Sequence, residues 1–594
     1  MSLCPVFVVG ILNWTNSSWW QSAFWSIQNL PQLFYGVLMF GAAFNLGLYL
    51  IGYWRTFADR TRAPNGQDHR LKQPASRTAI VMPIHNEDTD RIYLGARQVF
   101  KSVAALKLDR VCDFFLLSDS TDAKLREREE TICAELLAEF GCVYLIRRHN
   151  RVGFKAGNVA NFLKGSGKCY DFMLVLDADS VMGGETIRRM ILRMEASPNL
   201  AILQSTIIPI RAVTPFARAM QYTLGRTMPL YARGLYWFFG KQSVYWGHNA
   251  LVRVAPFMEH ARLPTLPGKP PLGGTILSQD IVEAALLGRA GWDVEWDVEN
   301  GGSFDELPPN ILAYGRRDRR WCQGNFQHFP FIFRPGMKFG HRLYFANGIF
   351  AYLAGPLLLV LMLLDFIGAS FSPMPEAGIG FDVRTLAVVF GMVALPRFLG
   401  LLRSSGMHRR TLKFKNPGDP VPTNGVSTHW AGWKFEVPST LVELALSILT
   451  APLLFYLHAR FVLEILSGRS VTWKGQSRNP TADLSWTDAT RLFWPATLAG
   501  ILWLGAGMLW APGSVSTLLP VLLAWIWSIP LAVVTSSPVL GKSLLDAGLF
   551  PDAFGHDERN ELGELAIGSA CFGTRVPSES KSVAPKNGLI VAGN

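Results

Sequence analysis

An α/β domain inserted in an α-helical membrane domain is the fold class this sequence predicts, and three observations predict it. Apolar runs of strand length at 79–82, 114–117, 143–146, 172–176 and 200–203 alternate with helix-like stretches. That is the order of parallel strands joined by crossover helices. Apolar stretches at 33–54, 344–366, 386–402, 492–510 and 518–534, with at most one charged residue each, flank this region, and each approaches the ~20 residues that cross a bilayer. The 594 residues are 49% hydrophobic, and many of the basic residues behind the net charge of +12 lie next to the apolar stretches. Basic residues in that position mark the cytoplasmic side and require no nucleic-acid partner.

Residues 1–54 read as an N-terminal membrane segment or segments. The stretch 6–25 carries Asn13, Thr15, Asn16 and paired tryptophans and suits either the interface or a span. No Lys, Arg, Asp or Glu precedes Arg55, so the basic start of a cleavable signal is missing and the segment is expected to stay. Arg55, Arg60, Arg62, Arg70, Lys72 and Arg77 then open a cytoplasmic domain over 55–343. Its end, near 316–333, couples a basic run to an aromatic one, the composition of a helix lying at a membrane surface.

Residues 344–540 form a second membrane region, with basic, hence cytoplasmic, loops at 403–437 and 467–490. Between those loops, 441–466 is apolar yet carries Glu443, Arg460 and Glu464. A single crossing there would break the charge rule, so an interfacial or re-entrant element or a tight hairpin is expected. Residues 541–594 read as a polar tail. The seven cysteines have no CxxC pair, which fits reduced core thiols in the cytosol. No zinc-finger, RNA-binding or helix-turn-helix signature is present, which excludes the common nucleic-acid modules.

The chemistry gathers at predicted strand ends. Asp177-Ala178-Asp179 follows the fourth apolar run. Carboxylates at i and i+2 of an extended segment face one way, and a hard divalent ion so held completes its shell with substrate phosphates. Asn86 and Glu87 follow the first run, where a nucleotide is commonly received. Asp119 follows the second and is either an acceptor for a base or ribose or a helix cap, a role that fits Asp122 better. Lys155, in a Gly-rich stretch from Arg151 to Asn161, offers a point charge to a phosphate or is a solvated helix-start lysine. Gly247, His248 and Asn249 beside Trp246 suit the floor of a sugar site, with a plain turn as the other reading. Asp280 opens a helix and is either a capping carboxylate or a general base.

These motifs, in this order, resemble the family-2 processive glycosyltransferases, whose signature is an Asp, an Asp-x-Asp, a Thr/Ser-x-Asp and a Gln-x-x-Arg-Trp. Here they fall on Asp119, Asp177/Asp179, Asp280 and Arg317-Asp318-Arg319-Arg320-Trp321. Gln279 stands where Glu is usual, and Arg317 where Gln is usual. Ser470-Val471-Thr472-Trp473-Lys474 is similar to the gating loop of bacterial cellulose synthases. A closer resemblance is to the glucans biosynthesis glucosyltransferase H family, above all at Arg316 to Asn325, where Arg at position 317 is what that family shows.

The resemblance implies a GT-A glycosyltransferase domain with a Rossmann-like mixed sheet, in the bacterial inner membrane. It implies UDP-glucose as donor, Mg²⁺ or Mn²⁺ on Asp177 and Asp179, and a β-1,2-linked glucan delivered toward the periplasm. Donor contacts would come from Asn86, Glu87, Asp119, Lys155, Asp177, Thr472 and Lys474. Asp280 would be the base, and Gly247, His248, Asn249, Arg317, Arg320 and Trp321 would hold the acceptor. The growing glucan chain, membrane lipid, acyl carrier protein and periplasmic glucan-processing proteins are the implied partners. Other expectations are a synthase of cellulose or β-1,3-glucan, a lipid-phosphate sugar transferase, or a transporter-like protein with an inactive transferase domain.

Overall fold

The computed structural model describes residues 30–58, 73–298, 301–371, 383–411, 431–471, 483–551 and 591–592. The stretch 6–25, Arg60, Arg62, Arg70, Lys72, Thr472, Lys474 and most of the tail lie outside the described residues.

Helix α1 (Leu30–Ala58) comes first. The α/β domain then runs β1 (Thr78–Ile84), α2 (Thr89–Ala105), β2 (Cys112–Ser118), α3 (Ala123–Phe140), β3 (Val143–Arg147), α4 (Phe154–Lys164) and β4 (Phe172–Val175). It continues with β5 (Val181–Met182), α5 (Gly184–Ala196), β6 (Leu200–Ser205), β7 (Ile208–Ile210), α6 (Pro215–Phe239) and β8 (Ala250–Arg253). The last pieces are α7 (Val254–His260), α8 (Gln279–Arg289), β9 (Asp293–Asp297), β10 (Ser303–Glu306) and α9 (Ile311–Phe326). Asp88 and Asp122 cap α2 and α3 by accepting two backbone N–H groups each.

All five predicted strands are present. The main sheet has the order β3-β2-β1-β4-β8-β6-β9, with a two-residue strand β11 (Val591–Ala592) on its β3 edge. It is mixed because β8 runs antiparallel to both β4 and β6. Alternation along each strand splits the core into two layers. Ile80, Met82, Phe114, Leu116, Phe172 and Leu174 pack under α2, α3 and α5. Ala79, Val81, Phe115, Leu117, Met173 and Val175 pack under α4, α7 and α8. Each large apolar side chain so buried contributes roughly 1.5–3 kcal/mol. A small sheet, β5-β10-β7, lies beside the main one and sets β10 antiparallel to β5, just past Asp179.

The expected surface helix near 316–333 is two helices, α9 and α10 (Phe329–Ile332). Pro330 has no N–H to give the Phe326 carbonyl, so α9 closes there. Beyond it come α11 (Phe339–Phe371), α12 (Val383–Thr411), α13 (Trp433–Leu466) and α14 (Trp486–Trp510), then α15 (Pro512–Ile526), α16 (Ser528–Val534) and α17 (Pro538–Asp546). Among the described residues five helices, α1 and α11 to α14, are long and apolar enough to cross a membrane, and the bent pair α16 and α17 makes a sixth if it counts as one span.

Three expectations change. The stretch 441–466 is no hairpin but the greater part of one 34-residue helix, α13. Its acidic residues are matched by distant arginines: Glu436 pairs with Arg226 on α6, Glu443 with Arg397 on α12, and Glu464 with Arg319 on α9 as well as with Arg460 one turn away. The expected span 518–534 is interrupted at Trp527 between α15 and α16, because Pro530 cannot donate to the Ile526 carbonyl. Finally, the region read as polar tail begins folded: α17 runs to Asp546, and Phe550 is buried against Tyr222.

Candidate active site

Because β1, β2, β3 and β4 are parallel, their C-terminal ends meet at one sheet edge. Antiparallel β8 starts at that same edge, which brings Gly247, His248 and Asn249 beside Asp177. Three non-glycine residues there take left-handed backbone: Asn86 (φ 53°), Phe154 (φ 50°) and Asn249 (φ 50°). Each such conformation costs roughly 1–3 kcal/mol and persists only where surroundings hold it. Asn86 is held by its Oδ1, which accepts the N–H groups of Thr121 and Asp122. Phe154 is held by Arg148, which donates to the carbonyls of Val152 and Phe154. The fully buried Asn249 donates through Nδ2 to Ser303 Oγ and the Phe304 carbonyl. Its amide is thus spent on β10, and the acceptor role expected of it is corrected to a structural one.

Asp119 is buried, and both its oxygens accept from Arg148, at 2.8 and 2.6 Å. The carboxylate expected to meet a base or ribose therefore locks the second strand end to the third loop. Glu87 is half-buried within electrostatic reach of Arg91.

Asp177 and Asp179 sit on a turn, not on extended strand. Ladder pairing of β4 with β1 stops at Val175, and the Ser180 N–H closes a turn onto the Asp177 carbonyl. The alternation expected to aim both carboxylates one way therefore does not apply. Asp179 is buried, whereas Asp177 is partly open and ion-paired to Lys155 Nζ. Lys155 also donates to the Gly247 carbonyl at 2.8 Å. Gly247 has φ 83°, and a Cβ on it would lie 3.0 Å from Asp280 Oδ2. A continuous line of contacts thus runs Asp177–Lys155–Gly247–Asp280 across segments far apart in sequence.

Asp280 is the second residue of α8, inside the helix rather than capping it. Burial raises its carboxyl above the usual aspartate range, opposed by Lys155, two backbone N–H groups and His248. Glu283, one turn later on α8, is pushed to about 8 by burial and by the charge of Asp280. Near neutral pH the Glu283 carboxyl therefore keeps its proton. His248 is lowered by burial and sits with Nδ1 3.3 Å from Ser180 Oγ.

Helix α9 closes the other side. Arg317 lies 4.5 Å over the Trp321 ring, and Trp321 is 39% exposed. Arg320 lies within electrostatic reach of Asp177 and Asp280. Close packing at Gly324 fixes the helix: a Cβ there would overlap Ser278 Oγ, at the very start of α8. From the opposite face of α9, Asp318 accepts from the Tyr352 hydroxyl at 2.8 Å and lies 2.7 Å from His458 Nε2. Arg319 donates to Glu464 at 3.0 Å and to the Arg469 carbonyl at 2.7 Å.

Three residues went unread in the sequence: Arg148, Glu283 and Asp305. Only Glu283 left a signal, its i+3 spacing from Asp280 on one helix. Asp305 lies on β10, and its Oδ2 is 4.0 Å from His248 Nε2. Burial, followed by the charge of Asp177, pushes its carboxyl to about 7.

Among the described residues no three His, Cys, Asp or Glu side chains cluster as a metal cage. A magnesium-type ion needs none, since it takes one or two carboxylates and fills its shell with water and substrate phosphates. Asp177 already balances its charge against one cation, the Lys155 ammonium, at the mouth of the cleft. The residues therefore fit such an ion.

Two family models match the chain: glycosyl transferase family 2 over residues 79–261, and glycosyl transferase family group 2 over 172–399. A protein named glucans biosynthesis glucosyltransferase H from Cupriavidus pinatubonensis is 37% identical over 80% of this chain and 55% of its own length. One of the same name from Pseudomonas entomophila is 34% identical over 89% of this chain and 62% of its own. The chain therefore spans little more than half the length of these relatives. Among solved structures, a mannosyltransferase from Pyrobaculum calidifontis in complex with GDP-Man and Mn²⁺ is 13% identical, with a TM-score of 0.40 over 64% of this chain and all of that one.

Proposed function

The chain belongs to glycosyltransferase family 2 and is a relative of the proteins named glucans biosynthesis glucosyltransferase H, and from that premise we propose that it is a processive, inverting glucosyltransferase. It takes glucosyl units from UDP-glucose, adds them to a β-1,2-linked glucan and delivers the product across the bacterial inner membrane. The observation that carries this reading is the contact line Asp177–Lys155–Gly247–Asp280. It sets a phosphate-binding end and a buried carboxylate on either side of one glycine, close enough for one sugar to touch both.

Asp280 takes the proton from the acceptor hydroxyl. That oxygen attacks the anomeric carbon from the face opposite the diphosphate, so an α-linked donor gives a β linkage in one displacement. Glu283, neutral, keeps the base from sharing its charge. Lys155 re-aims from Asp177 toward the diphosphate, and Arg320 adds positive charge on that side. Trp321 stacks on the acceptor sugar, with Gly247 and His248 as the floor beneath it. Asn86, Glu87 and the Asp119–Arg148 lock shape the nucleoside end. Asp177 and Asp179 would hold Mg²⁺ or Mn²⁺, which supplies charge stabilisation to the departing UDP.

The α/β domain is on the cytoplasmic side, because the basic loops on either side of α13 then share one face. In this reading α13 rides along the membrane surface: both its ends are ion-paired to helices of the α/β domain, through Arg226 and Arg319.

Membrane vesicles given UDP-glucose and a divalent metal should release UDP and make a glucan that a β-1,2-specific glucanase digests. Asp280→Asn should cut turnover by about 10²–10⁴-fold with UDP affinity nearly unchanged, and full activity in that variant would sink the assignment of the base. Digestion by a cellulase or a β-1,3-glucanase instead would move the product to another β-glucan, and no turnover at all would revive a transporter with an inactive transferase domain.

A further inference from the structure

Asp305 has no part in the contact line described above. It lies on β10, whose pairing of Phe304 with Val181 sets Asp305 beside Ser180, directly after Asp179. Along β10 the side chains alternate: Phe304 enters the core, while Ser303 bonds to Asn249 on the cleft side, and Asp305 turns the same way. One oxygen, Oδ2, is 4.0 Å from His248 Nε2. The other, Oδ1, is buried with no hydrogen-bond partner.

Arg317 shows the complementary pattern. Its guanidinium lies over Trp321, and its Nε is likewise buried without a partner. The two groups are within electrostatic reach of each other, yet they make no ion pair. Asp305 Oδ1 and Arg317 Nε are thus one acceptor and one donor left unsatisfied within electrostatic reach of each other. Neighbouring sugar hydroxyls both donate and accept, and so satisfy both groups at once.

From this arrangement we infer that Asp305 is a specificity-determining residue that accepts hydrogen bonds from hydroxyls of the donor hexose, with Arg317 as the facing donor. The inference rests on the donor reading proposed above and adds the group that tells one hexose from another. A site that bonds a specific hydroxyl discriminates strongly, because a mismatched sugar leaves the buried group unpaired.

The test compares kcat/KM for UDP-glucose and for its C4 epimer, UDP-galactose, in the wild-type protein and in Asp305→Asn and Asp305→Ala. UDP affinity is measured alongside and reports that the variants are folded. The expected result is a drop of at least about tenfold in kcat/KM for UDP-glucose, a preference for UDP-glucose that shrinks by a similar factor, and UDP affinity within about twofold of wild type. An unchanged preference overturns the inference. So does a parallel loss of UDP affinity, or a raised requirement for divalent metal with the preference intact, since either assigns Asp305 to the diphosphate end. If the wild-type protein turns over neither sugar nucleotide, the donor reading itself fails and this inference with it.

Discussion

Two ion pairs, one in the cleft and one where the α/β domain meets the membrane helices, are built on opposite plans. Lys155 and Asp177 meet through a single ammonium on a flexible stem, with the side chains 15% and 32% exposed. Arg226 and Glu436 are 2% and 0% exposed and meet through two parallel contacts of 2.7 Å. Glu436 is also held by the Tyr222 hydroxyl, and Arg226 lies 3.8 Å over the Tyr222 ring. A point charge can turn from a carboxylate to an arriving phosphate at little cost, whereas a planar fork filled on every side cannot. The cleft pair is built to be exchanged and the junction pair to last.

That contrast is sharpest where one partner is removed. Arg226→Met leaves Glu436 buried and uncompensated, which costs about 3–5 kcal/mol. The thermal unfolding midpoint in detergent should fall accordingly, and Arg226→Met with Glu436→Leu should recover most of the loss. A single variant as stable as wild type would break the comparison. Lys155→Met should do the reverse, lowering turnover by about 10²–10³-fold with little change in the midpoint, because Asp177 keeps access to water. If its midpoint drops as far as that of Arg226→Met, the two pairs are alike after all.

Smaller effects refine the picture. Gly324→Ala pushes α9 off the start of α8 and should cost about 1–3 kcal/mol, seen as a lower midpoint together with a lower kcat. The pH profile gives the finest test. Burial raises the Asp280 carboxyl, so the acid limb of kcat/KM should lie above the ordinary aspartate value of about 3.9. Activity is lost as pH falls through that limb and regained as it rises. Glu283, pushed to about 8, is already neutral at pH 7, so Glu283→Gln should change the rate there by less than about threefold. A tenfold loss would mean that Glu283 carries charge in the working enzyme.

The sequence announced what local pattern encodes. Apolar runs such as 172–176 became strands, and Asp122 became the cap of α3. Asp177, Lys155, Gly247 and Asp280, named singly from their motifs, came together at one sheet edge. What could not be read was whatever depends on partners far away in the chain. Asp119 resembled a ligand group until Arg148 filled it, and Asn249 until β10 took its amide. Asp305 stands on a short polar strand, and only the side sheet brings it to the cleft. The charges on α13 looked like faults in a span because Arg226, Arg397 and Arg319 lie far from them in sequence. The breaks before Phe329 and Ser528 did have local causes in Pro330 and Pro530, which hydropathy alone passes over.

The two fastenings of α13 have a mechanical consequence. Glu436 and Glu464 are 28 positions apart, about 42 Å along a helix at 1.5 Å per residue, and each is tied to a different helix of the α/β domain. A rod pinned at both ends cannot pivot about either one. Any tilt of α13 is therefore also a tilt of α6 and α9. Since α9 carries Trp321, a tilt of α13 carries one wall of the cleft with it, much as a hinge plate with two screws moves only together with its door.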